Sequence, residues 1–252
     1  MSKPKILAII PARGGSKGIP NKNIRLFCGQ PLIAYVIKQA LSLKKKEVLD
    51  RVIVSTENPH IAAISKKYGA EIPFLRPKRF ARDKSNITDA MLYTLNRLKK
   101  EEKYTPNYVM LLQPPSPLRE ETDILNCIKK INTPGTDAVL TVCPTHALFY
   151  NLTQDNELIL VNKVNIKKSH NNRQEMPKGY KLNGCFVYLI KYDVLMKTKT
   201  FFPPRTKAVV CDAWRSIDLD DPEDWALAEA IFRNKNKIKQ TIQKINLEKI
   251  NK

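Results

Sequence analysis

The sequence predicts an α/β fold built on a mainly parallel sheet with helices on both faces. Three observations lead there. Runs of strand length and almost unbroken apolar character recur along the 252 residues. Longer segments between them repeat their apolar residues at helical spacing, and a basic, glycine-rich loop follows the first run directly. Strands that are apolar on both faces must be covered on both, and alternating helices supply the cover.

Each element in turn supports this reading. Residues 5–11 are rich in Ile and read as a buried strand, followed by a polar loop with three glycines. In 31–43, Leu32, Ile33, Val36, Ile37, Ala40 and Leu41 fall on one helical face. A second strand spans 51–55. Asn58 then suits a helix cap, with Pro59 at the first position and Gly69 as the stop. Residues 72–75 read as a short strand, 87–98 as a helix, 108–113 as a strand, 123–131 as a helix and 138–142 as a strand. From 144 to 181 the rhythm breaks into a polar stretch, expected as an excursion from the core. Strands resume at 185–190 and 208–211. The last helix begins near Pro222, with Trp225, Leu227, Ala228, Ile231 and Phe232 as its apolar stripe. No repeat or linker divides the chain. One domain is expected over 1–235, with the excursion inserted at about 144–182, and a partly disordered basic tail at 236–252.

The formal charge of +20 is the unusual bulk number. It implies attraction to anions, whether nucleic acid, an anionic membrane face or small acidic substrates. Much of it sits in Lys44-Lys45-Lys46 and the last twenty residues, and such runs are usually solvated faces. Charge alone does not choose among the three. No apolar run reaches the roughly 18 residues of a membrane span, and the start lacks the apolar stretch of a signal peptide, so a cytoplasmic protein is expected. Cys28, Cys127, Cys143, Cys185 and Cys211 form no CxxC pair and read as reduced thiols. His60, His146 and His170 lack metal-ligand spacing, so zinc is not expected. The basic residues are not interleaved with stacking aromatics, which speaks against nucleic acid as partner.

The most informative segment is the loop Arg13-Gly14-Gly15-Ser16-Lys17-Gly18-Ile19-Pro20-Asn21-Lys22-Asn23. Coming straight after the first strand, it lies at the carboxyl edge of a parallel sheet, where ligands bind. Glycines let backbone N–H groups approach a phosphate, and Arg13, Lys17 and Lys22 add cations. A triphosphate carries about four negative charges near neutral pH, which such charge-assisted bonds suit. The glycines fit neither GxGxxG nor GxxxxGK[ST].

A second motif, Asp218-Leu219-Asp220, places two acids on one side of an extended segment. Carboxylates that close repel unless a cation lies between them, and Mg²⁺ suits a site of one or two carboxylates plus substrate phosphates. Asp221, Glu223 and Asp224 suit the first turn of the following helix instead. Taken alone, the motif leaves both readings open.

The run Ile10-Pro11-Ala12-Arg13-Gly14-Gly15-Ser16-Lys17-Gly18-Ile19-Pro20-x-Lys22-Asn23-Ile24 resembles the signature loop of the acylneuraminate cytidylyltransferase family, which includes legionaminate and pseudaminate enzymes. The 3-deoxy-manno-octulosonate cytidylyltransferases share only its general shape. The likeness continues through Val54-Ser55-Thr56, Arg76-Pro77, Asp83-x-Ser85, Leu112-Gln113-Pro114-x-Ser116-Pro117-Leu118-Arg119, Arg173-Gln174, Asn183-Gly184 and the acidic motif near 218.

The resemblance implies a Rossmann-like fold of the nucleotide-diphospho-sugar transferase kind. It implies transfer of CMP from CTP to the anomeric hydroxyl of a nine-carbon 2-keto-3-deoxy sugar acid, with Mg²⁺ as cofactor and release of pyrophosphate. Arg13, Lys22, Asp218, Asp220 and Arg173 would be catalytic, with Asp218 and Asp220 as the metal ligands. Gly14, Gly15, Ser16, Lys17, Asn23, Arg76, Ser85, Gln113, Lys181 and Asn183 would bind substrate, Gln113 on the acidic sugar and Arg173 and Lys181 toward its carboxylate or the phosphates. The excursion would carry a homodimer contact. At Ile87, where some members have another serine, the sequence departs from the pattern. The expected partners are CTP and an acidic nine-carbon sugar, with no nucleic acid and no membrane. The rival readings are an octulosonate enzyme and, more remotely, a nucleic-acid-binding protein.

Overall fold

A computed structural model describes residues 3–146, 150–154, 156–161, 178–184 and 186–250. The first strand, β1 (Ile6–Pro11), is buried along nearly its whole length. A two-residue hairpin, β2 (Leu26–Phe27) and β3 (Gln30–Pro31), leads into α1 (Leu32–Lys45). Then come β4 (Arg51–Ser55), α2 (Pro59–Lys67), α3 (Ile87–Glu102), β5 (Tyr108–Leu111) and α4 (Glu121–Ile131). A longer strand, β6 (Ala138–His146), precedes the small hairpin of β7 (Tyr150–Leu152) and β8 (Leu158–Leu160). The chain closes with β9 (Lys178–Leu182), β10 (Tyr188–Lys191), α5 (Tyr192–Thr198), β11 (Thr206–Val210) and α6 (Pro222–Ile250).

The main sheet runs β11-β6-β10-β5-β1-β4, with β9 added beside β6. Pairs β1–β4, β1–β5 and β6–β11 are parallel, whereas β10 runs against both its neighbours and β9 against β6. The sheet is therefore mixed and mostly parallel in strand direction, not uniformly so. Alternation along β1 explains the two layers. Ile6, Ala8 and Ile10 pack with Ile33, Val36, Ile37 and Ala40 of α1 and with Ile124 and Cys127 of α4. Leu7 and Ile9 face the other way, onto Met91, Leu95 and Leu98 of α3 and Leu195 of α5. Burying a side chain of this size contributes about 1.5–3 kcal/mol, so the two layers are the main source of stability. A third cluster seats α6 through Ala228 and Trp225 on Phe27, Leu32 and Leu219.

Asn58 caps α2 as expected, its side-chain oxygen accepting from the N–H groups of His60 and Ile61, and Gly69 takes a left-handed φ of 92° after it. Four expectations change. Residues 72–75 form no strand: only Glu71 bridges to Ile53, and Pro73 has no N–H with which to continue the ladder. The strand expected at 138–142 runs on to His146, because β9 pairs with its distal half from Val142 to His146. The excursion thus begins as sheet. The strand expected from 185 starts at Tyr188, and Cys185 lies outside the described residues. Finally, residues 236–250 of the expected basic tail are helical, continuing α6. Lys235 and Lys239 on it reach back to Glu120 at 2.7 and 2.6 Å, which lowers the Glu120 carboxyl to about 2: burial opposes the shift, and the bonds from the two lysines outweigh it. Cys28, Cys127, Cys143 and Cys211 are free thiols, the last three buried.

Candidate active site

The loops after β1, β4, β5 and β11 all leave the sheet at the carboxyl ends of strands that share one direction, so they converge at one edge. Backbone bonds join them there. Ala12 N–H donates to Ser55 O, Arg76 N–H to Thr56 O, and Leu219 N–H to Pro115 O, each at 2.9–3.0 Å. Between them opens a cleft of about 540 Å³.

The glycine-rich loop forms one wall. Arg13, Ser16, Lys17, Lys22 and Asn23 all line the cleft. Asn23 is buried and its amide donates to Arg13 O at 2.9 Å, pinning the loop's base to its cationic end. Arg13 and Lys17 both reach Asp83, at 3.0 and 2.9 Å, and these two cations hold its exposed carboxyl below the usual range, the Lys17 hydrogen bond being the largest cause. Two cations clasping one carboxylate at the mouth of a cleft form a ready anion cradle.

The acid pair forms the facing wall. Asp218 and Asp220 both line the cleft, and Lys22 bridges toward them, donating to Leu219 O at 2.5 Å and to Asp220 Oδ1 at 3.1 Å. Burial, and after it the neighbouring Asp220, pushes the Asp218 carboxyl up to about 6. Two glycines allow this crowding. A Cβ on Gly18 would lie 1.9 Å from the carbonyl oxygen of Asp220, and one on Gly184 would lie 2.5 Å from Asp218 Cβ. Burial and the repulsion of Asp220 thus disfavour charge on Asp218, which a divalent cation would relieve. An all-oxygen donor pair open to the cleft fits Mg²⁺, and among the described residues no cluster of three or more His, Cys, Asp or Glu offers another metal site.

Of the other residues singled out from sequence, Arg76, Ser85 and Gln113 also line the cleft. Ser85 is held by a turn, its hydroxyl donating to Arg79 O at 2.7 Å, and Ile87, the departure from the family pattern, lines the cleft at the start of α3. Gly14 and Gly15 back onto a separate hollow of about 400 Å³ with Glu57 and Asn58. Lys181 is an exposed residue of β9 and does not reach the cleft. Asn183 is fully buried, its amide donating to Ser216 Oγ at 3.3 Å beneath the acidic segment, with Oδ1 unpartnered. It underlies the site without lining it. Arg173 lies outside the described residues.

Sequence reasoning passed over Glu57 and the role of Asp83. Glu57 accepts the Gly14 N–H and pairs with Arg76. One signal was available: it directly follows Val54-Ser55-Thr56 at a strand's carboxyl end, where a carboxylate close to a phosphate-type loop is out of place unless it holds a cation.

Cations on one wall and a carboxylate pair on the other are what a nucleoside triphosphate with its divalent counter-ion needs, which is the chemistry of a nucleotidyltransferase. The chain belongs to the cytidylyltransferase family, whose sequence model matches residues 7–247. It is 32% identical over 232 residues to the CMP-N,N'-diacetyllegionaminic acid synthase of Legionella pneumophila, covering 90% of this chain and 96% of that protein. An N-acylneuraminate cytidylyltransferase of Escherichia coli O18:K1:H7 is also 32% identical, over 97% of this chain and 55% of its own length. Among solved structures, a CMP:2-keto-3-deoxy-manno-octonic acid synthetase complexed with CTP shares the fold. Its TM-score is 0.66, over 92% of this chain and 99% of that one, at 16% identity.

Proposed function

We propose that this chain transfers CMP from CTP to the anomeric hydroxyl of a nine-carbon 2-keto-3-deoxy sugar acid of the legionaminic or sialic type, with Mg²⁺ as cofactor. The observation that carries the reading is the cleft itself, which Arg13, Lys17 and Lys22 line together with Asp218 and Asp220. In this reaction the sugar hydroxyl attacks the α-phosphorus and pyrophosphate leaves. The protein's part is positioning and neutralising charge. Arg13 and Lys17 would exchange Asp83 for the β- and γ-phosphates and keep hold of the departing pyrophosphate. Lys22, only 14% exposed and already bonded to the acidic segment, would hold the α-phosphate side of the nucleotide against it. Arg76 and Ser85 would hold the nucleotide, and Gln113, two residues past β5, the acidic sugar. Asp218 and Asp220 would hold Mg²⁺, which when bound offsets the charge developing on the phosphates. Among the described residues no histidine lines the cleft, and an aspartate there would be a candidate to take the proton from the sugar hydroxyl.

The nine-carbon assignment rests on relatives at 32% identity named for legionaminic and acylneuraminic acids, whereas the octonic acid synthetase shares only the fold. A homodimer built on the excursion belongs to the same reading. Tyr180 and Leu182 of β9 and Ile159 and Val161 by β8 are about half exposed, apolar side chains that a second copy would cover; a mass in solution of one chain would remove the dimer. CTP supply places the work in the cytoplasm, and among the described residues no helix is long and apolar enough to cross a membrane.

The test is pyrophosphate release with Mg²⁺ and CTP, offering N-acetylneuraminate, N,N'-diacetyllegionaminate, pseudaminate and 3-deoxy-manno-octulosonate separately. Release with a nine-carbon acid is expected. Release with octulosonate alone would replace the substrate assignment.

A further inference from the structure

Glu57 sits just past the end of β4, between Thr56 and the cap of α2, and its side chain is 12% exposed. Its two carboxylate oxygens do different things. Oε1 accepts the backbone N–H of Gly14 at 2.6 Å, near the start of the glycine-rich loop. Oε2 accepts from Arg76 Nη2 at 3.2 Å. Arg76 is tied to the same turn a second time, its own N–H donating to Thr56 O at 2.9 Å. The guanidinium is only 4% exposed, yet its Nε has no partner and the residue lines the cleft. A buried cation with a spare donor at a ligand cleft is aimed at something outside the protein. Burial works against the charge on Arg76, Glu57 restores part of it, and Arg13 adds repulsion.

We propose that Glu57 is a positioning residue for the nucleotide: one oxygen anchors the phosphate loop through Gly14, and the other holds the Arg76 guanidinium toward the cleft. The inference rests on the CTP reading above and adds to it a group that touches no substrate. Glu57 joins two cation-bearing segments that are far apart in the chain, with Gly14 and Arg76 lying 43 and 19 residues from it in sequence. Loop and guanidinium are thereby held at a fixed separation before ligand arrives, and preorganised charge of this kind needs no rearrangement on binding. Free of that tie, Arg76 would face the like charge of Arg13 with no counter-ion in place.

Substitution separates the two bonds. In Glu57→Gln an amide oxygen still accepts from Gly14, while the amide NH₂ meets the donors of Arg76. In Glu57→Asp the charge stays, but the shorter side chain cannot span both partners. The experiment measures CTP affinity by calorimetry and the separate KM values for CTP and sugar acid on the full chain. Losing a charge-assisted bond at a buried cation predicts about a tenfold or larger loss of CTP affinity in Glu57→Gln. The KM for sugar acid should stay within about twofold, and Glu57→Asp should recover part of the loss. Glu57→Gln added to Arg76→Ala should do no further damage, because the oxygen that fails has nothing left to hold. Equal CTP affinity in wild type and Glu57→Gln overturns the inference. So does an equal rise in both KM values with a fall in thermal stability, which marks a purely structural residue. A wild-type chain that binds no CTP overturns the nucleotide reading first and this inference with it.

Discussion

Asp220→Asn is expected to lower pyrophosphate release by about a thousandfold at saturating CTP, Mg²⁺ and sugar acid, while the fold persists. The two halves of that outcome have separate causes. Asp220 is 75% exposed and its ion pair is with the ε-amino group of Lys22. Exposed pairs contribute little, about 0–1 kcal/mol, so the melting temperature should stay within about 3 °C of wild type. Its backbone is what packs: the carbonyl oxygen sits over Gly18 and the N–H bonds to Asp218 O at 3.0 Å. An asparagine preserves that backbone and the side chain's shape, and removes only the charge. Phosphoryl chemistry of this kind depends on charge placed in advance, so a neutral amide in one of two carboxylate positions leaves the phosphates poorly compensated. Wild-type turnover in Asp220→Asn at high Mg²⁺ would sink the metal assignment.

The second large effect is on stability and lies behind the cleft. Asp123 Oδ2 accepts from Arg215 Nη1 at 2.5 Å and from Glu120 N–H at 2.8 Å; its Oδ1 accepts from Arg215 Nη2 at 2.7 Å and from the Cys211 thiol at 3.4 Å. Both charged side chains are under a tenth exposed. Burial, then the Asp123 carboxylate, pushes the Cys211 thiol up to about 12, so it stays protonated and donates. Asp123→Ala would leave Arg215 buried, with the exposed Asp212, at 3.0 Å, as its remaining described ion pair. Breaking a buried pair from one side costs about 3–5 kcal/mol, which for a chain of this length predicts a fall of about 10 °C in melting temperature. The same change made in an Arg215→Met background should cost much less, because the stranded charge is gone. A fall under about 2 °C in the single variant would show that the pair is not the anchor described.

What the sequence revealed was set by local chemistry. Asn58-Pro59 and Gly69 bracket α2, and the Ile-rich first strand and the stripe of α1 need nothing distant to be read. The loop and the acid pair were legible for the same reason: a functional group's identity and its neighbours in the chain were enough to suggest its chemistry. What stayed hidden depends on partners far away. The reversed direction of β10 continues that of β9, since both run against β6, a pairing that leaves no local mark in the sequence. The continuation of α6 as a helix rests on Glu120, more than a hundred residues earlier. Asn183 was expected at the ligand and is buried, its amide bonded to Ser216, a partner 33 residues away in sequence. Glu57 matters only because Gly14 and Arg76 fold against it.

The bond from Lys22 to Asp220 spans 198 residues, and it carries a consequence for the order of events during synthesis. One part of the cleft is made with residues 13–23; the acid pair at 218–220 follows almost two hundred residues later. Contacts this distant close late, after the loop entropy between them has been overcome. Before residues 218–220 are made, the cationic loop lacks the carboxylate pair, while the helical layers around β1 can already be in place. The closing of that distant contact is what brings the loop and the acid pair into one cleft.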